Sequence, residues 1–138
     1  MIKSYLHTKK SDGKGKGVFT KESIPAKTVV ERSPVIALSS KDSSTLDKTK
    51  LHNYIFLWGK SLTRACLALG YCSIYNHSFT PNCDYVMDFD RETMTIKTLR
   101  EIKKGEELFI NYNGDISDQS PLWFNVKKAR PLRRKRKV

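Results

Sequence analysis

The chain is 138 residues long, enough for one hydrophobic core and too short for two. Hydrophobic residues at 38% and charged residues at 29%, with only 7 Gly and 5 Pro, exclude collagen-like, low-complexity and wholly disordered classes. The formal net charge of +12 resembles a nucleic-acid signature until it is located: eight basic residues and no acid lie from Lys127 onward, which leaves 18 basic against 14 acidic residues before them. The body is mildly basic. The sequence therefore divides into a folded domain over residues 1–126 and a basic tail over 127–138, expected to be extended by self-repulsion and suited to phosphate contact or nuclear import.

No apolar run approaches the ~18 residues of a membrane span, and Met1-Ile2-Lys3-Ser4-Tyr5 carries no signal-peptide core, so a soluble intracellular domain without a membrane partner is expected. Cys66, Cys72 and Cys83 form no C-x-x-C pair and fit no zinc spacing, so small reduced thiols are expected and no metal is assigned.

In chain order, Gly13, Gly15 and Gly17 make a backbone-exposing loop that feeds a short strand at Val18 and Phe19. Ile24 to Lys27 reads as a turn. Val29 to Leu38 is rich in β-branched residues and broken by Pro34, which predicts two short strands or one bent edge strand. Residues 39–53 are polar and lack alternation, as a surface insertion would. Tyr54 to Trp58 is consistent with a buried strand. Ser61 to Leu69 is the best helix candidate, with Leu62, Ala65, Cys66 and Leu69 on one face and Gly70 after it.

Tyr85 to Asp90 and Thr93 to Leu99 alternate around Asp90-Arg91-Glu92 and predict a β-hairpin; Lys103 to Glu106 is a turn, and Leu108 to Tyr112 a final strand. The fold class is mostly β, with irregular connections and one or two short helices.

Three stretches are more specific than ordinary turns. In Gly15-Lys16-Gly17-Val18, two glycines let the backbone approach a ligand closely and present its N–H groups. In Tyr75-Asn76-His77-Ser78-Phe79-Thr80-Pro81-Asn82-Cys83, Asn76 and Asn82 carry amides able to fix a polar ligand or a neighbouring loop, and Pro81 stiffens the span between them. Glu106-Glu107-Leu108-Phe109-Ile110-Asn111-Tyr112 is an acidic turn leading to a strand with a terminal tyrosine.

Together and in this order they resemble the SET-domain family of protein-lysine methyltransferases. NHSFTPNC matches that family's Asn-His-Ser-x-x-Pro-Asn-Cys motif, EELFINY its Glu-Leu-x-x-x-Tyr ending, GKGVF its opening Gly-x-Gly, and SPLWFNV the aromatic closure of some members. The resemblance implies short curved sheets with a C-terminal pseudoknot, S-adenosylmethionine as cofactor, and a lysine-bearing protein substrate, a histone or another basic protein. It implies that Lys14, Gly15, Lys16 and Gly17 meet the methionine end of the cofactor. Asn76 would bind by its side chain, His77 mainly by its backbone, and Trp123 would pack on the adenine. Tyr112 would be the catalytic tyrosine. Tyr85 would hold the target amine and limit the number of methyl groups added, Ile110 having no hydroxyl for that role.

Asp84, Asp88, Asp90, Asp115 and Asp118 are candidates for a groove that attracts a basic tail. With no cysteine beyond Cys83, the chain lacks the zinc segment of many relatives, and Trp123 with Phe124 would substitute for it. The resemblance further implies nuclear action in a eukaryotic or host cell and cytoplasmic action otherwise; the oligomeric state stays open, a homodimer included. The alternative is a catalytically silent SET-like module that binds nucleic acid or an acidic partner through the basic tail.

Overall fold

The structure is a computed structural model and describes residues 1–120; Trp123, Phe124 and the basic run from Lys127 lie outside the described residues. Nine strands and one α-helix appear among them: β1 (Leu6–Ser11), β2 (Gly15–Thr20), β3 (Val29–Leu38), α1 (Ser40–Leu46), β4 (Ile55–Trp58), β5 (Arg64–Ala68), β6 (Asn76–His77), β7 (Cys83–Asp88), β8 (Thr93–Thr98) and β9 (Glu107–Ile110). They form a four-stranded sheet in the order β1-β2-β9-β6 and a five-stranded sheet in the order β4-β5-β3-β8-β7. The mostly β fold class expected from sequence is the one observed.

Strand β3 is one strand rather than two, and it lies in the middle of its sheet rather than at an edge. Pro34 is tolerated there because the strand changes partners at that point. Val29–Pro34 pairs with β8 and Val35–Leu38 with β5, and the Pro34 carbonyl accepts the Leu69 N–H at 3.0 Å. A proline thus falls where no ladder bond requires its missing donor.

The helix expected over Ser61 to Leu69 is instead strand β5, hydrogen-bonded between β3 and β4. Leu62, Ala65, Cys66 and Leu69 do recur at helical spacing. However, a short apolar run buried on both faces satisfies a central strand equally well, and periodicity cannot separate the two. Leu62 has a positive φ of 56° in the β4–β5 turn, which no helix could include. The only α-helix among the described residues lies in the polar insertion, where the Ser39 hydroxyl accepts the Asp42 N–H at 3.1 Å and caps α1. A short 3-10 turn over Lys50–Asn53 follows. Strand β1, pairing with β2 from Leu6↔Thr20 to Ser11↔Gly15, has no counterpart in the sequence reading because its alternation is weak.

One core joins both sheets. Val18, Val30, Phe56, Cys66, Met94, Ile96, Leu108 and Ile110 are buried in it with Tyr75, Tyr85 and Tyr112. Cys66, Cys72 and Cys83 are free and buried, and burial pushes the Cys83 thiol up to about 12. No described helix is long and apolar enough to cross a membrane.

Candidate active site

The site forms where the two motif segments run side by side. Strand β6 is only Asn76–His77, and it pairs in parallel with β9, Asn76 opposite Phe109 and His77 opposite Ile110. Ser78 continues the ladder by donating its N–H to the Ile110 carbonyl at 3.0 Å. Asn82, at the far end of the same motif, clamps β9 from its side. Its Nδ2 donates to the Glu107 carbonyl at 2.8 Å, and its Oδ1 accepts the Phe109 N–H at 2.7 Å. Of the two roles open to this amide, the structure selects the neighbouring strand.

Tyr112 lies just beyond β9 and is fully buried. Its hydroxyl donates to the Tyr75 carbonyl at 2.7 Å, and its backbone N–H donates to His77 Nδ1 at 3.0 Å. Accepting at Nδ1 puts the proton of the neutral ring on Nε2. Burial, followed by the charge of Lys14, lowers the His77 pKa to about 4, so the ring is neutral near pH 7. Its Nε2 is buried with no hydrogen-bond partner among the described residues, an orphan donor beside Tyr112.

The glycine hairpin approaches from the other side. Lys14 sits before β2, its Nζ 4.7 Å from the centre of the Phe109 ring. The Lys16 carbonyl accepts from Asn76 Nδ2 at 3.1 Å. Gly15 has a positive φ of 74°, and Gly17 is needed for space. A Cβ at Gly17 would collide with Glu107 Oε2 and come within 2.9 Å of Asn76 Nδ2. Glu107 ties the three segments together, its Oε1 accepting the Ser11 hydroxyl at 2.7 Å and its Oε2 the Asn76 amide at 2.7 Å. Lys14, Gly15, Lys16, Gly17, Asn76, His77 and Tyr112, separated by up to 98 positions in the chain, thus share one neighbourhood.

Tyr85 lies in the same core, 7% exposed, on β7 opposite Ile96, with its ring 5.5 Å from that of Phe56. Among the candidate groove acids, burial raises the Asp84 pKa, against the opposing pull of its bond from the Tyr85 N–H, with the charge of Asp115 adding to the rise. Asp118 is buried and caps the Ser120 N–H, so it serves the local turn; Asp88 caps the Asp90 and Arg91 N–H groups at a hairpin end. Trp123 lies outside the described residues.

Glu31 lies outside the stretches singled out from sequence, and Glu107 and Tyr75, though inside them, carry no assigned role there. Glu31 is a fully buried carboxylate on β3. A single acid inside a β-branched run was the available signal for it, since an unpaired charge is costly there.

The glycine hairpin, the Asn76–His77 strand and the buried Tyr112 thus meet in one place, the arrangement that the SET-domain resemblance implies. The SET domain family model matches residues 15–113, and the chain belongs to that family. It is 38% identical over 125 residues to a histone-lysine N-methyltransferase of Schizosaccharomyces pombe specific for H3 lysine-37, covering 90% of this chain and 80% of that protein. It is likewise 38% identical over 76 residues to a SET and MYND domain-containing protein of Dictyostelium discoideum, covering 54% of this chain and 19% of that one. Among solved structures, one from Plasmodium falciparum described as a candidate histone methyltransferase is similar at a TM-score of 0.63 and 26% identity, covering 83% of this chain and 97% of that chain. The chain is therefore a protein-lysine methyltransferase by family, fold and motif.

Proposed function

We propose that this protein transfers a methyl group from S-adenosylmethionine to the side-chain amine of a lysine in a histone or another basic protein. The observation that carries the reading is Tyr112, buried, with its hydroxyl fixed on the Tyr75 carbonyl next to the Asn76–His77 strand. When bound, the cofactor supplies an electrophilic sulfonium methyl. The chain's own residues fit such a group. The Gly15–Gly17 backbone gives close approach, and Asn76, with both amide hydrogens engaged by Lys16 and Glu107, offers its carbonyl oxygen to an ammonium. His77 offers the orphan Nε2–H and its backbone. Trp123, in this proposal, covers the adenine.

What remains is alignment and charge. A lysine amine has an ordinary pKa near 10.4 and must lose its proton to attack. Buried surroundings such as those of Tyr112 and Tyr85 favour the neutral amine, and oriented hydroxyl and carbonyl dipoles stabilise the charge that develops. Tyr85 is the second hydroxyl of the proposed site and holds the amine. Asp84 and Asp115 draw in a basic tail, and the segment from Lys127 acts as a nuclear-import or phosphate-contacting element.

The test is methyl transfer from radiolabelled cofactor to core histones and to a cell lysate. Tyr112→Phe should keep the fold and cofactor affinity while turnover falls at least about tenfold. Full activity in a folded Tyr112→Phe protein removes Tyr112 from the chemistry. Absence of calorimetric cofactor binding at millimolar concentration would favour a silent module.

A further inference from the structure

The carboxylate of Glu31 lies at the centre of a buried polar cluster outside the motifs. Its Oε2 accepts from the Ser33 hydroxyl at 2.7 Å, the Tyr71 N–H at 2.8 Å and the Cys72 thiol at 3.3 Å. Its Oε1 accepts from the Tyr75 hydroxyl at 3.0 Å. Three of these four donors belong to the turn between β5 and β6. Gly70 opens that turn with a positive φ of 62°, and any Cβ there would strike both Glu31 Oε2 and Ser33 Oγ. The turn closes at Tyr75, whose carbonyl receives the Tyr112 hydroxyl.

Tyr75 is thus held at both ends of its structure: its side chain by Glu31, its carbonyl by Tyr112. A short turn has few bonds of its own to fix the direction of one carbonyl. Here the Ile74 N–H donates to the Tyr71 carbonyl at 2.8 Å, the Ser73 hydroxyl ties the turn to the Tyr54 and Ala68 carbonyls, and the β6 ladder begins at Asn76; Glu31 on β3 adds the anchor on the Tyr75 side chain itself. We propose that Glu31 is a positioning residue for methyl transfer: by anchoring the Tyr75 hydroxyl it aims the Tyr75 carbonyl, and the carbonyl aims the Tyr112 hydroxyl. The inference rests on the reading of Tyr112 given above. It adds a residue from the opposite sheet, 81 positions earlier in the chain and outside the motifs.

The decisive variant is Tyr75→Phe. It keeps the backbone carbonyl, the ring and the other three Glu31 bonds, and removes only the link between anchor and carbonyl. Turnover on core histones should fall about fivefold to tenfold, with substrate KM and cofactor Kd changed less than about twofold. In a Tyr112→Phe background the same change should cost nothing further, because the hydroxyl being aimed is gone. Glu31→Gln, which keeps an acceptor oxygen, should reproduce the loss if it folds.

A readout independent of any substrate is the Cζ resonance of Tyr112 in protein carrying 13C-labelled tyrosine, which should move in Tyr75→Phe. An unmoved resonance, unchanged turnover, or losses that multiply in the double variant would each overturn the positioning role. Full activity of Tyr112→Phe is a different outcome: it removes the catalytic reading itself, and this inference with it.

Discussion

Two carboxylates brace the site, and they do it from opposite conditions. Glu31 is fully buried, accepts four donors and holds the β5–β6 turn on the Tyr112 side. Glu107 is only partly buried, accepts two donors and holds the glycine hairpin against Asn76. A fully buried acceptor that loses its place strands donors with no water to replace it, whereas a partly exposed one stands at the edge of the core, where water can enter the space it leaves even though its donors, Ser11 and Asn76, are buried. The first brace is therefore bound up with folding, and the second with the hairpin that, in the proposed function, meets the cofactor.

The contrast is broken most directly by deleting each carboxylate. In Glu31→Ala, four donors lose this acceptor, three of them in buried bonds, and a buried group left unsatisfied costs about 1–3 kcal/mol. Even the low end consumes much of the roughly 5–15 kcal/mol that stabilises a small domain. Thermal unfolding should begin at least about ten degrees lower, or lose its cooperativity. Glu107→Ala should shift the midpoint by no more than a few degrees. Equal losses in a melting experiment would erase the distinction.

A smaller effect tests the residue that joins the two regions. His77 touches Tyr112 through Nδ1 and belongs to the strand that Glu107 braces through Asn76. Its pKa is about 4 in the folded chain against 6.5 for a free histidine, because burial penalises the charged ring. The unfolded chain therefore binds a proton more readily between those values, and stability present above pH 6.5 is lost as pH falls toward 4. The full shift amounts to at most about 3 kcal/mol, and less than half of that is lost by pH 5.5. Protonation also removes the acceptor for the Tyr112 N–H. The stability advantage of the wild type over His77→Asn, measured by urea unfolding, should shrink between pH 7 and pH 4.5. An advantage independent of pH would show that the ring is already charged or unshifted.

The same contrast explains what could be read from sequence. The hairpin-side brace leaves local marks: glycines at 15 and 17, Asn-His at 76 and 77, and a tyrosine at 112 within a short motif. Such residues are chosen for close approach or for a side-chain donor, and their type discloses the requirement. The hairpin of β7 and β8 was legible for a related reason, since its alternation and turn residues are local. Glu31 leaves no such mark. Its partners lie two, 40, 41 and 44 positions away, so a charged residue in an apolar strand gives no sign of who satisfies it. Strand β5 carries a helix-like spacing for the same reason, because its identity comes from two flanking strands and not from its own sequence. Pro34 suggested an edge, yet a strand that changes partners midway accommodates it at the centre.

The smallest expected effect on folding, and the most selective one on binding, belongs to Gly17→Ala. The added methyl meets Glu107 Oε2 first and the Asn76 amide next. Gly17 has an ordinary extended backbone, so the substitution introduces no backbone strain; what must move is a carboxylate at the end of a flexible side chain. Glu107 can swing toward solvent at little cost, and the melting midpoint should change by only a few degrees. In moving, however, it releases the Asn76 amide, whose orientation is set by Glu107 and the Lys16 carbonyl together. If Asn76 holds the cofactor as proposed, it then meets it with the wrong atom or at the wrong angle, and losing one such polar contact costs about 1.4 kcal/mol, or roughly tenfold in Kd. Calorimetry with S-adenosylmethionine and a melting curve on the same sample provide the check. A protein that unfolds early but binds normally would mean that the hairpin braces the fold, as Glu31 does, and that the two regions do not differ in kind.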